Sequence, residues 1–90
     1  MLISKDSPSV ELLNAPRETD LEIVSLIGGR SMIQRLSALG LTQYATVKIL
    51  KGGGSGPMIV EVRGSRVGIG RGISCRIIVR PFISGKVRAG

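Results

Sequence analysis

Thirteen of the ninety residues are glycine, and eleven of these fall between Gly28 and Gly72. A glycine inside a helix costs roughly 1 kcal/mol relative to alanine. That spacing therefore leaves room for one short helix and otherwise favours short, sharply bent strands. The length suits a single small domain. With 42% hydrophobic and 21% charged residues, the chain carries enough apolar surface to build a core. No run of about 18 apolar residues is present to span a membrane. The opening Met1 to Val10 contains Lys5 and Asp6 and does not read as a signal peptide.

Hydrophobic periodicity places the elements. Residues 1–8 read as a flexible N-terminus. Ser9 is positioned to cap a short helical turn over Val10 to Leu13, which Pro16 stops. Leu21, Ile23 and Leu26 mark a first strand with a bulge at Val24-Ser25, ended by Gly28-Gly29. Ser31 to Leu39 is the clearest helix. Ser31 and Gln34 have capping-box spacing, Met32, Leu36 and Leu39 form one stripe with Ile33 beside it, and Gly40 sits at the left-handed C′ position with Leu41 folding back on Leu36.

Ala45 to Ile49 alternates as a half-buried strand. Met58 to Arg63 and Arg66 to Ile69 form a hairpin about Gly64-Ser65, with Met58, Val60, Val62, Val67 and Ile69 inward. Ile73 to Cys75 is a single helical turn, and Arg76 to Arg80 is the last strand, ended by Pro81. The expected fold is mainly β: a small SH3-like barrel of about five strands over residues 9–80, with one short helix at 31–39 and a tail at 81–90.

Charge is unevenly spread. Residues 1–22 hold five acids against Lys5 and Arg17, a net of −3, whereas residues 23–90 hold eleven bases against Glu61, a net of +10. A body of that sign seeks an anionic partner: nucleic acid, lipid headgroups or an acidic protein face. Single-strand readers stack bases on aromatic rings, and Tyr44 and Phe82 are the only aromatics here.

The absence of histidine removes Ser-His-Asp and Cys-His triads and every His-based metal site. Cys75, the one cysteine, excludes an intrachain disulfide and fits a buried filler between Ile73 and Ile77. Gly68, Gly70 and Gly72 miss the spacing of a phosphate-binding fingerprint and read as a barrel corner. The run Gly52-Gly53-Gly54-Ser55-Gly56 reads as a loop joining two strands. Glu18, Asp20 and Glu22 alternate as a solvated edge, with a hard-cation site as the competing reading. No activated nucleophile and no paired carboxylates are visible, so the chain reads as a non-enzyme with no catalytic, cofactor or metal residues.

One set of segments resembles a known family. Ile23 and Leu26 precede Gly28-Gly29, then Arg35-Leu36-Ser37-Ala38-Leu39-Gly40-Leu41-Thr42 follows. Val47, Ile49-Leu50, Gly56-Pro57, Val60-Glu61-Val62-Arg63-Gly64, Val67-Gly68-Ile69 and Ile77-Ile78-Val79 come after these. Together they resemble the FeoA family of small cytoplasmic proteins of bacterial ferrous iron uptake. The resemblance implies an SH3-like barrel and an accessory role through contact with the membrane GTPase FeoB, in the cytoplasm or peripherally at the inner membrane. Two features depart from the family pattern: Thr42-Gln43-Tyr44 stands where a proline-glycine turn is usual, and residues 82–90 run beyond the usual end.

A contact surface follows from residue type. Arg30 and Arg35 flank Met32 and Leu39 as a charged rim around an apolar centre. Arg63, Arg66 and Arg71 are placed near one end of the hairpin as a basic face. Self-association through edge strands is a second expectation, transition metal binding is weakly supported, with Fe(II) and Zn(II) the open choices, and a nucleic-acid-binding small β-barrel is the alternative function.

Overall fold

Period-two alternation in five segments is realised as one curled antiparallel sheet. The computed structural model describes residues 9–52 and 56–82. In chain order these form β1 (Val10–Glu11), a 3-10 turn (Leu12–Asn14), β2 (Asp20–Leu26), α1 (Arg30–Ala38), β3 (Thr46–Lys51), β4 (Met58–Val62), β5 (Ser65–Ile69), the single turn α2 (Arg71–Ser74) and β6 (Ile77–Pro81). The strand order is β1-β6-β2-β3-β4-β5. The chain is thus mainly β with six strands rather than five, and the barrel is not closed: among the described residues β1 and β5 are edges that do not pair with each other. The anticipated N-terminal segment 1–8, the glycines at 53–54 and tail residues 83–90 lie outside the described residues.

Inward positions alternate as the pleat requires. Leu21 and Ile23, Val47 and Ile49, Met58, Val60 and Val62, and Ile77 and Val79 are all buried. Leu12, Leu36, Leu41 and Ile69 complete the same core, and Val67 packs against it half-buried. The anticipated bulge is present, since the β2–β6 register slips between Ile23 and Ser25. It lets Leu26 pair with Ile77 while Ile23 pairs with Val79.

Helix α1 ends as its sequence dictates. Gly40 takes φ +92°, its N–H donates to the Ser37 carbonyl, and the Leu41 N–H donates to the Leu36 carbonyl at 2.9 Å. Both halves of a Schellman stop are made, and Leu41 and Leu36 are both buried. The beginning differs. Gly29 is the N-cap, with its carbonyl accepting the Ile33 N–H, and no side chain caps the helix. The cap lies two residues earlier than Ser31, so Ser31 is inside the first turn and the Ser31–Gln34 capping box does not form.

Three other local expectations are corrected. Val10-Glu11 is a strand paired with Val79 and Ile78, and only Leu12 to Asn14 is helical, without a cap from Ser9. Pairing with β6 satisfies backbone groups that a four-residue helix would leave open. The hairpin turn is Arg63-Gly64, with φ +52° and +80°, so Ser65 belongs to β5. A turn with both central residues at positive φ matches the twist of the flanking strands. Finally, the inward residue of α2 is Ser74, fully buried with Oγ donating to the Arg71 carbonyl, while Cys75 is only half-buried.

Candidate interaction surface

The outer face of the sheet carries a ladder of alternating charge. Asp20 on β2 stands opposite Lys48 on β3, Lys48 opposite Glu61 on β4, and Glu61 opposite Arg66 on β5. Lys48 Nζ approaches Asp20 Oδ1 at 3.9 Å. Beside them, Nε and Nη2 of Arg80 on β6 both donate to Oε1 of Glu22 at 3.1 Å. Two of the three alternating acids are therefore held by cations, and Glu18 lies before the strand at φ +57°. Among the described residues no group of three or more His, Cys, Asp or Glu is placed to hold a metal. Asp20, Thr46, Lys48, Glu61 and Arg63 line a shallow groove of about 170 Å³ on this face.

The Glu22–Arg80 pair ties β2 to β6, and Glu22 is its less exposed partner at 19%. Removing both charges separately and together, with Glu22→Gln and Arg80→Met, should give a coupling energy of about 0.5–1 kcal/mol in urea unfolding, declining as salt rises. A coupling near zero would make the pair an ornament of the surface.

The anticipated contact residues fall into separate places. On α1, Leu36 alone is buried; Met32 is half-buried against the core, and Leu39 is 48% exposed. Arg30 and Arg35 are exposed. The Met32 thioether lies over Gly28, where an added Cβ would collide with it. Arg63 comes to the far end of the same helix: a Cβ added at Gly40 would meet Arg63 Cδ at 3.5 Å. Its guanidinium stem thus covers the C-terminus of α1, where a cation is favoured. Leu39 and Arg63 are therefore brought to one end of α1.

Arg66 lies outward on β5 and Arg71 lies beyond that strand's other end. Five strand residues, about 16 Å at the usual rise, separate the hairpin tip from Arg71. The hairpin does not gather Arg63, Arg66 and Arg71 at one end. Among the described residues none of Arg30, Arg35, Arg63, Arg66 and Arg71 has a carboxylate within 4.0 Å.

The sequence reading missed Ile27, Tyr44 and Arg76. Ile27 is 52% exposed, and its N–H donates to the Arg76 carbonyl at 2.8 Å, which sets the entry to α1 against the start of β6. Tyr44, in the turn leaving α1, is 68% exposed and adopts φ +71°. Its N–H donates to the Ile23 carbonyl at 2.7 Å, while Gln43 Nε2 donates to the Val24 carbonyl at 2.9 Å. Those bonds hold a tyrosine where glycine is at ease. The available signal was the departure at Thr42-Gln43-Tyr44, where three polar or aromatic residues occupy a turn that glycine would enter without strain.

Comparison with known proteins agrees with this architecture. The FeoA domain profile matches residues 10–81. A crystal structure titled iron uptake regulatory protein (FeoA) is 33% identical with a TM-score of 0.75, covering 83% of this chain and 99% of that one. The solution structure of a FeoA protein from Chlorobium tepidum is 23% identical with a TM-score of 0.74, covering 84% of this chain and 73% of that one. The IdeR protein of T. acidophilum shares the fold at 20% identity and a TM-score of 0.72, with 82% of this chain matched to 34% of that one. No curated protein matches the chain. A domain match running from β1 to β6, together with a relative one-third identical over almost its whole length, places the chain in the FeoA family.

Proposed function

We infer that this protein is an accessory component of ferrous iron transport that acts by binding another protein rather than by chemistry of its own. The observation that carries this reading is the FeoA domain itself, which takes in every strand of the sheet. FeoA proteins are small accessory domains, and membership ties this chain to iron transport. The partner is a FeoB-type membrane GTPase, met at its cytoplasmic side. No helix among the described residues is long and apolar enough to cross a membrane, so peripheral placement comes through that partner.

The proposed contact surface centres on the exposed end of α1. Leu39 supplies the apolar contact at that end with Arg35 and Arg63 beside it, and Met32 and Arg30 extend the surface toward the start of the helix. Arg66 and Arg71 extend the positive potential along and beyond β5. Such a rim accelerates encounter with an acidic face and weakens as salt rises.

The test is capture of the purified chain by the immobilised cytoplasmic GTPase domain of the cognate transporter, with and without guanine nucleotide. Arg35→Glu combined with Arg63→Glu should reduce capture about tenfold or more at low salt, since like charges set across an interface cost several kcal/mol. Failure of the unaltered chain to bind in either nucleotide state would overturn the reading. Filter binding to single- and double-stranded DNA on the same samples tests the nucleic-acid alternative, where submicromolar affinity with a steep salt slope is the contrary result.

A further inference from the structure

The two-residue turn at Arg63-Gly64 fixes which backbone groups of β5 face outward. In a hairpin of this kind the flanking pair, Val62 and Ser65, exchanges hydrogen bonds. Alternation then makes Val60–Val67 and Met58–Ile69 the bonded pairs, and leaves Glu61–Arg66 and Ile59–Gly68 unbonded. The N–H and C=O groups of Arg66 and Gly68 therefore point away from β4. Among the described residues no other strand pairs with β5 on that side, and no backbone or side-chain hydrogen bond reaches these groups. Gly68 is exposed, and in a glycine that exposure is backbone.

Side chains along this edge alternate in a definite way. Arg66 points outward with no carboxylate within 4.0 Å among the described residues. Gly68 leaves a bare shelf beside the half-buried Ile59, whose Cδ1 lies 3.7 Å from where a Cβ on Gly68 would stand. Arg71 follows just past the strand. An unpaired edge with two spaced pairs of donor and acceptor is a template for an added strand.

We propose that the outer edge of β5 is a docking site for an extended acidic segment of a partner protein, added to the sheet as a further strand. The segment places a carboxylate opposite Arg66 and a large apolar residue opposite Gly68, against Ile59. A second carboxylate two positions beyond reaches the region of Arg71. Charge decides the occupant. A second copy would bring Arg66 and Arg71 against their own kind in a chain of net charge +7. Of its strand carboxylates, Asp20 and Glu22 are already held by Lys48 and Arg80, Glu61 lies inside the sheet between Lys48 and Arg66, and Glu11 sits on a two-residue strand too short to supply the pattern. The proposal does not rest on the transporter assignment.

The probe is the peptide Thr-Glu-Thr-Phe-Thr-Glu-Thr, blocked at both ends, which presents the same pattern in parallel or antiparallel orientation. Amide exchange followed by NMR is the readout. In the free protein the Arg66 and Gly68 amides should exchange fast while Val67 and Ile69 stay protected. Adding the peptide should slow Arg66 and Gly68 selectively. The same peptide with lysine for glutamate should bind about fivefold more weakly, the upper range for a cross-strand charge pair.

Gly68→Leu, which fills the shelf without changing the charge, should keep the protection of Val67 and Ile69, because Gly68 has no positive φ and an added Cβ makes only ordinary contact. It should lose the glutamate peptide. Arg66→Glu should reverse the preference toward the lysine peptide. Arg66 and Gly68 amides already protected in the free chain, shifts confined to another strand, equal binding of both peptides, or no binding at millimolar peptide would each overturn the proposal.

Discussion

Ile23→Ala is expected to remove about 3–4 kcal/mol of folding stability. Ile23 is fully buried on β2, the strand held between β6 and β3. Its N–H donates to the Ala45 carbonyl and its carbonyl accepts from Tyr44, both on the β3 side, while on the other side it stands opposite Val79 of β6. The strand therefore stays in place when the side chain is cut back, and the core cannot collapse into the space. A ninety-residue domain is stable by roughly 5–13 kcal/mol, so the change consumes a quarter or more of the total. The melting temperature should fall by at least about 12 °C, with an unchanged denaturant slope. A loss under about 1 kcal/mol would mean that Ile23 lies outside a continuous core.

Gly40→Ala is expected to cost about 1–2 kcal/mol through backbone strain, without a cavity. Gly40 holds φ +92° at the C′ position of α1. A Cβ there would meet Val62 Cγ2 and Arg63 Cδ at 3.5 Å, which is ordinary contact, so the penalty is conformational. The order of stability should be glycine above asparagine above alanine above valine, because asparagine tolerates positive φ and a branched side chain does not. Thermal unfolding of the four variants checks it, and equal stability of alanine and glycine would contradict it. The same substitutions should loosen the end of α1 where Leu39 and Arg63 meet. The Gly40→Ala chain is thus also expected to bind the proposed GTPase partner less tightly.

Both expectations rest on features that differ in how far they could be read from the chain. The stop at Gly40 was legible because every residue that makes it lies within six positions: Leu36, Ser37, Leu39, Gly40 and Leu41. The bulge at Val24-Ser25 was legible from a change of period inside one strand. The N-cap was misplaced by two residues, Ser31 for Gly29, because serine and glycine both suit that position. The hairpin turn moved by one residue because Arg63 at positive φ has no strong local signature, whereas Gly64 suits either frame.

For the candidate surface, residue type identified Leu39 and the arginines but not their grouping. Arg63 reaches the end of α1, which it follows by two whole strands, while Arg71 is carried away by the length of β5. The charge ladder from Asp20 to Arg66 joins four strands and exists only in the register of the folded sheet.

The amino-acid order alone determined the mainly β character, the single capped-off helix, the inward set of each long strand and the absence of histidine chemistry. These are carried by period, by glycine and by side-chain chemistry, all of which act within a few residues. The tertiary structure alone decided that Val10-Glu11 is a strand, that the sheet stays open between β1 and β5, and that Arg66 and Gly68 present an unpaired edge. Those outcomes depend on which distant backbone groups find partners, and pairing energy between remote segments leaves no pattern in either segment by itself.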